Sequence, residues 1–290
     1  MHPLPYPSTP YLTTEEAAAY LRLKERKLYE LLAEGQIPAT KVTGKWLFAR
    51  AALDRWLEAG WSAPTAPPAL IGGSHDPLLE WLVRRAACGL ALLPEGSQAG
   101  LERVADSTAM VAAIHLHDPD PEVDANLAAV AHHPALADAV VIGFAGREAG
   151  LVLAPGNPLG ITTVAEAAER GLRFGQRQPG AGAQRLLERV IGAQSVAVGG
   201  HYPTGGDLAL GLRAGEVDCG IATRAIATLH GLSFLPLLWE RFDLVMRRRS
   251  YFEPPMQGLI RALTMPSFAR QAEAFGGYDL SAAGSVRFNR

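Results

Sequence analysis

From residue 69 to the end of the chain, short apolar runs alternate with stretches whose apolar positions recur three and four residues apart. Residues 69–71, 89–93, 110–115 and 140–144 carry the first pattern and read as strands; 76–87, 97–107 and 124–132 carry the second and read as helices between them. Two longer extended segments, near 143–153 and 233–245, are apolar near both ends. Between them helices at 163–170, 182–191 and 207–215 alternate with strands near 172–175, 195–198 and 219–222, and after Phe252 the chain continues as helices. This alternation predicts a mainly parallel sheet with helices on both faces. The two long segments then read as paired crossovers between two lobes, one about 69–144 and 244–290, the other about 145–243.

The first sixty residues follow a different pattern. Pro3, Pro5, Pro7 and Pro10 preclude a sustained helix, so residues 1–10 are expected to be a loose arm. Thr13 and Glu16 stand at capping-box spacing ahead of a helix over 14–21, and a second helix starts near Lys24, with Leu28, Leu31 and Leu32 on one face and Gly35 as its stop. Residues 40–42 and 45–48 form an extended pair with Thr43-Gly44 as the tip, and Ala51, Leu53, Trp56 and Leu57 supply a third helix. Leu28, Leu31, Trp46, Trp56 and Leu57 are the predicted core of this unit, 11–59. Residues 60–68, rich in proline, read as a spacer before the large unit, 69–290.

Helix, turn, helix, hairpin, helix is a winged helix-turn-helix order. The segments Tyr11-Leu-Thr-Thr-Glu-Glu-Ala-Ala-Ala-Tyr-Leu, Leu31-Leu-Ala-Glu-Gly-Gln-Ile-Pro-Ala and Gly44-Lys-Trp-Leu-Phe closely resemble the excisionase-type branch of the MerR-like DNA-binding domains. The resemblance implies that Lys24, Arg26, Lys27 and Tyr29 belong to a recognition helix entering the major groove, and Lys41, Gly44 and Lys45 to a wing on the DNA backbone. Charge agrees: cations in the first turn of a helix oppose its dipole, and a phosphate partner accounts for them. Residues 1–60 hold eight Lys/Arg against seven Asp/Glu, whereas the whole chain has a net charge of −2. One such unit contacts few base pairs, so a homodimer or higher homo-oligomer on a double-stranded operator is expected.

In the large unit, turns at predicted strand ends draw attention. Ile71-Gly-Gly-Ser-His-Asp, Pro94-Glu-Gly-Ser-Gln-Ala-Gly and Phe174-Gly-Gln-Arg-Gln-Pro-Gly-Ala-Gly-Ala-Gln each lead from a strand into a helix, where open α/β sheets collect ligands and helix N-termini favour anions. With Arg147-Glu-Ala-Gly-Leu-Val-Leu-Ala-Pro-Gly-Asn-Pro, Val217-Asp-Cys-Gly-Ile-Ala and Glu240-Arg-Phe-Asp-Leu, the region resembles the type II periplasmic-binding-protein-like domains related to molybdate- and tungstate-binding proteins. The overall expectation is an α/β chain: a small N-terminal winged helix-turn-helix plus a two-lobed periplasmic-binding-protein-like domain. The resemblance implies that Ser74, Ser97 and Arg177 hold an oxyanion, molybdate or tungstate first, and Gly73, His75 and Gly180 belong to the same turns. Ala181 and Ala183 stand where relatives often carry hydroxyls, which keeps an organic anion open. Tyr202 either lines the cleft or sits in an ordinary turn that Asp207 caps; Arg147 either faces the ligand or pairs in the hinge with Glu148 or Asp243.

Other chemistry is poorly supported by the residues. Cys88 and Cys219 lie far apart in apolar settings and read as free thiols. His115, His117, His132 and His133 read as strand-end and cleft-wall residues rather than a metal site, and Arg247-Arg248-Arg249 as a solvated loop. No nucleophile, base and orienting group stand out together, and Gly180-Ala-Gly is too short for a cofactor fingerprint, so no catalytic residue and no resident cofactor are expected. With no leader pattern and no bilayer-length apolar run, a cytoplasmic protein without membrane contact is expected. The combined expectation is a transcription regulator sensing a small anion. A ligand-free oligomerising DNA-binding protein and an enzyme using the cleft are the alternatives.

Overall fold

A computed structural model describes residues 9–60, 66–118, 120 and 122–289. Most of the expected arm and the centre of the expected spacer, 61–65, lie outside the described residues. The chain divides into two compact units, with the boundary between Thr65 and Ala66.

In the first unit, β1 (Tyr11–Leu12) precedes α1 (Thr14–Leu21), α2 (Glu25–Ala33), β2 (Thr40–Val42), β3 (Lys45–Ala49) and α3 (Arg50–Gly60). Thr13 and Glu16 close a reciprocal capping box at the start of α1. Thr43 and Gly44 both have positive φ, the geometry of a tight two-residue hairpin, and pair Val42 with Lys45. The sequence pattern does not disclose β1, which pairs Tyr11 with Ala49 and Leu12 with Phe48. Leu12, Ala17, Leu28, Ile37, Phe48 and Leu53 form the core, and Leu31, Trp46 and Trp56 pack against it. Leu57 does not join them: it is 45% exposed near the end of α3.

The second unit begins with β4 (Leu70–Gly73), α4 (Pro77–Ala86), β5 (Ala91–Pro94), α5 (Ser97–Ala105), β6 (Val111–Ile114) and α6 (Ala125–His132). A 15-residue strand, β7 (Ala139–Leu153), then leaves the first lobe. The second lobe holds α7 (Val164–Glu169), β8 (Arg173–Gln176), α8 (Gly182–Ile191), β9 (Ala197–His201), α9 (Gly205–Ala214), β10 (Cys219–Thr223) and α10 (Arg224–His230). The equally long β11 (Ser233–Arg247) returns, followed by α11 (Arg248–Tyr251), α12 (Pro254–Leu263), α13 (Pro266–Phe275), β12 (Tyr278–Asp279) and β13 (Val286–Asn289).

The sheet order is β5-β4-β6-β11-β7-β10-β8-β9, with β12 and β13 also pairing with β7. Pairing is parallel within each lobe, as expected, and antiparallel wherever β7 or β11 takes part. The segments 140–144 and 143–153 are one continuous strand, because β7 serves both lobes. Register shifts near Leu237 and Phe144 interrupt its pairing with β11 between the lobes. Alternate residues of one strand feed different cores: Val111 and Ala113 enter one cluster, Ala112 and Ile114 another. In the second lobe, Leu151 and Leu153 enter one cluster and Val152 the other. Both sheet faces are therefore covered, and the strand ends with their turns are left to form a cleft.

Candidate functional site

The turns after β4, β5, β6, β8 and β9 and the end of β10 converge where the lobes meet. They enclose a cavity of about 40 Å³ whose wall includes Ser74, His75, His115, Arg147, Arg177, Gln178, Thr223 and Glu240. One water needs about 10–15 Å³, so the space suits a group of small-ion size. The lobes approach one another closely. An added Cβ on Gly182, the first residue of α8, would lie 2.3 Å from the His115 ring and from its carbonyl oxygen, and Arg189 Nη1 donates to the Asp118 carbonyl at 3.1 Å.

Helices around the cavity differ at their N-termini. Asp76 caps α4 by accepting from the Leu78 and Leu79 amides, and Thr204 with Asp207 caps α9. By contrast, the N-cap positions of α5 and α8 are Gly96 and Ala181, which supply no side-chain cap although both line the cavity. Their first-turn amides therefore carry the partial positive charge of two helix ends toward it. Four side-chain atoms on the wall are sealed from solvent without a protein partner: His115 Nδ1, Arg177 Nε, Gln178 Oε1 and Thr223 Oγ1. Buried polar atoms are nearly always paired, so such a cluster leaves donors and acceptors for a polar group, water or ligand. Arg177 is fixed by donating from Nη2 to the Pro203 carbonyl at 2.6 Å, while its backbone amide donates to Gln184 Oε1. Burial, with repulsion from Arg147, lowers its pKa to about 10, so it remains a cation at neutral pH.

Arg147, in the middle of β7, is buried and bridges two carboxylates. It donates from Nη1 to Asp76 Oδ2 at 3.1 Å and from Nε to Glu240 Oε1 at 2.5 Å. Its partners are thus neither Glu148, which holds Arg224, nor Asp243, which holds Arg287 and Asn126. Tyr278 of β12 donates its hydroxyl to Asp76 Oδ2 at 2.9 Å, and His117 Nε2 stands 2.9 Å from Glu240 Oε2. Burial opposes the charge on Glu240, yet the Arg147 guanidinium, with a hydrogen bond from His117, holds its carboxyl well below the usual carboxylate range. Burial and then Arg147 push the His115 imidazole well below the ordinary histidine value.

Both shifts act on stability in one direction. Each group holds fewer protons in the native state than in the unfolded chain, so acid favours unfolding. The His115 contribution is present above about pH 6.5 and is lost as pH falls through its depressed native value. Glu240 adds a second loss below the ordinary carboxylate range. Urea unfolding at pH 7.5, 6 and 5 is expected to give a falling midpoint, and His115→Gln should flatten the fall below about pH 6.5, most of all between pH 6 and 5.

The structure places the predicted residues unequally. Ser74, His75 and Arg177 reach the wall. Ser97 lies behind it, fully buried: its Oγ accepts from the His115 amide, is placed to donate to the His115 carbonyl, and shares a 2.8 Å hydrogen bond with Ser74 Oγ. Its single proton serves either His115 or Ser74, and in the second case the Ser74 proton is released toward the cavity. Gly73 sits beneath the wall against Ala113 and Gly100, and Gly180 faces Gln98 across the cleft. Tyr202 points away, packing over Gly175, Gly200 and Gly211 with its hydroxyl donating to Glu216 at 3.2 Å; Pro203 and Gly205 line the cavity instead. Thr204, not Asp207, is the N-cap of α9. Gln178, Thr223 and the place of Glu240 on the wall escape sequence reasoning, because single polar residues at strand ends carry no spacing signal. Ala181 and Ala183 are on the wall, presenting methyls. Cys219 is buried, its thiol pushed up by burial, and Cys88 is half-buried; neither joins the cavity. Arg247 is not a solvated loop residue, since it holds Asp138 and the Ala105 carbonyl.

In the first unit, Lys24, Arg26, Lys27 and Tyr29 are all exposed at the start of α2, and Lys41, Gly44 and Lys45 are exposed on the hairpin. Arg26 and Lys27 pair with Glu30 in solvent, interactions weak enough to exchange for phosphate. The Lys41 ammonium lies 5.6 Å from the Trp46 ring centroid, which props the wing.

Comparison with known proteins agrees with these two parts. Residues 11–60 match the helix-turn-helix domain family, and residues 81–264 match the family described as PBP superfamily domain. The uncharacterized protein YvgK of Bacillus subtilis is 21% identical over 94% of this chain and 96% of its own. An uncharacterized protein of the ferredoxin 2Fe-2S gene 5′ region of Clostridium pasteurianum is 29% identical over 25% of this chain and 65% of its own. Among solved structures, a putative phosphate ABC transporter substrate-binding protein with bound phosphate from Clostridium perfringens superposes with a TM-score of 0.53 at 12% identity, covering 72% of this chain and 98% of that one, a likeness of fold.

Proposed function

Because the chain belongs to the PBP superfamily and also carries a helix-turn-helix domain, we propose that it is a DNA-binding regulator whose cleft senses a small oxyanion, molybdate or tungstate first. The observation that carries the reading is the group of sealed, unpartnered polar atoms around a small-ion cavity, with Arg177 among them and two uncapped helix N-termini beside it. Converging donors and one guanidinium suit a tetrahedral anion. Arg147 adds no net positive charge, since the two carboxylates it bridges, Asp76 and Glu240, outnumber it. The size of the cavity favours an inorganic ion over a larger organic anion. In this reading, the anion draws both lobes together and the shift in lobe equilibrium alters DNA affinity in a homo-oligomer presenting two recognition helices. No described helix is long and apolar enough to cross a membrane.

The test is thermal denaturation of the purified protein against molybdate, tungstate, sulfate, phosphate and small carboxylates. A ligand bound only by the native state stabilises it by RT ln(1 + [L]/Kd), and at a hundredfold excess over Kd that is about 2.7 kcal/mol. One inorganic oxyanion is expected to raise the midpoint, and Arg177→Ala to remove the shift. A panel without any shift would defeat the anion reading. For the first unit, Lys24→Ala with Arg26→Ala is expected to weaken DNA binding and to reduce the slope of log K against log salt by about one for each phosphate no longer neutralised, with the anion-induced shift intact.

A further inference from the structure

Among the wall residues, His115 is one of the sealed, unpartnered groups, and the reading above gives its ring no charge to contribute. It is 6% exposed, its Nδ1 is sealed without a protein partner, and its backbone is pinned through both amide and carbonyl to Ser97 Oγ. The ring therefore cannot withdraw: Ser97 holds its backbone, Gly182 of α8 presses on one edge, and the Phe242 ring lies at a centroid distance of 6.1 Å. The charged groups that face it are Arg147 from β7, Arg177 from the turn after β8, Glu240 from β11 and His117 from its own segment. Three of these are basic residues, and the single carboxylate already accepts from Arg147 and faces His117.

We propose that His115 is an anion-binding residue which takes up a proton from solvent as a doubly charged oxyanion enters, so that the site selects dianions over monoanions of the same shape. The inference rests on the anion-sensing reading, and its basis is electrostatic. Without a ligand, burial and neighbouring guanidiniums keep the imidazole neutral. The low local dielectric that disfavours an isolated imidazolium equally strengthens its attraction to an anion beside it. Among the described wall cations, Arg177 is the one that no carboxylate pairs, and it answers the first charge of an anion. A dianion leaves one negative charge over, and the sealed imidazole is the group that can answer it, becoming a donor at both nitrogens. The proton comes from the buffer, and no covalent bond between heavy atoms forms or breaks.

Calorimetric titration of the full chain with molybdate at pH 7.5, in two buffers of different ionisation enthalpy, tests this directly. Molybdate itself is fully deprotonated there, so uptake belongs to the protein. The expected result is a difference in heat corresponding to about one proton per ion, with Kd weakening by up to about tenfold per pH unit as pH rises above neutral, as linkage requires for uptake on binding. Perrhenate, tetrahedral with one charge less, is expected to bind at least about tenfold more weakly and without uptake. In His115→Gln, molybdate binding should persist, weakened about tenfold or more, with equal heats in both buffers. Equal heats in the wild-type chain, unchanged uptake in His115→Gln, or perrhenate binding as tightly as molybdate would overturn the proposal while sparing the anion reading. Failure of molybdate and of every other oxyanion in the thermal panel to bind would overturn both.

Discussion

Arg147→Met is expected to destabilise the large unit by about 3–5 kcal/mol. Methionine retains the bulk of the stem but leaves Asp76 and Glu240, both nearly inaccessible, as uncompensated charges in the core of the crossover. The guanidinium also lies over the Phe242 ring, with 4.2 Å to the centroid, so the substitution removes a cation–π interaction as well. Protonation relieves unpaired carboxylates, and the variant should therefore recover part of its deficit as pH falls, opposite to the wild-type trend. Urea unfolding at pH 7.5 and 5 checks both statements. A midpoint within experimental error of wild type at pH 7.5 would mean that the bridge is not structural.

Gly182→Ala is expected to remove anion-induced stabilisation while leaving each lobe folded. The new methyl would lie 2.3 Å from the His115 ring and from a backbone carbonyl, and a carbonyl pinned by Ser97 has nowhere to go. Relief requires α8 to move back from β6 by about an ångström, and interfaces of packed elements respond to such shifts by separating rather than by deforming. The anion would then be held by the donors of one lobe instead of two. A drop of at least about 100-fold in affinity is expected, since closure supplies the second set of donors. Thermal titration and circular dichroism separate the two effects. Retained anion affinity with normal helicity would show that the lobes tolerate the methyl and that their close approach at α8 is not required.

Legibility in the sequence falls with the range of the interaction. Local signals read well: Thr13 with Glu16 does form a capping box, Asp76 caps α4 ahead of Pro77, and the long apolar segments do cross between lobes. Two-residue β1 and the tail strands β12 and β13 are invisible in the pattern, because their pairing is supplied by β3 and β7 rather than by any periodicity of their own. Arg147 stands out as a candidate hinge cation, but its partners are 71 and 93 residues away, and Glu148 and Asp243 are equally plausible on charge alone. Tyr202 misleads for a related reason. Its neighbours in sequence suggest a cleft turn, yet Gly175, Gly200 and Gly211 open a slot that turns the ring toward Glu216. Ser97 does belong to the second turn, but its hydroxyl faces the His115 backbone and Ser74 instead of the cavity.

The central claim is that anion in the cleft and DNA on the first unit influence one another. Its most direct test is fluorescence anisotropy of a labelled duplex, recovered by the protein itself from random-sequence DNA, titrated with and without molybdate at a level shown by thermal shift to fill the site. Molybdate is predicted to change DNA affinity by about 5- to 150-fold, the usual range of a coupling free energy, and DNA to change molybdate affinity by the same factor. Identical DNA affinity and identical selected sequences with the cavity filled and unfilled would contradict it.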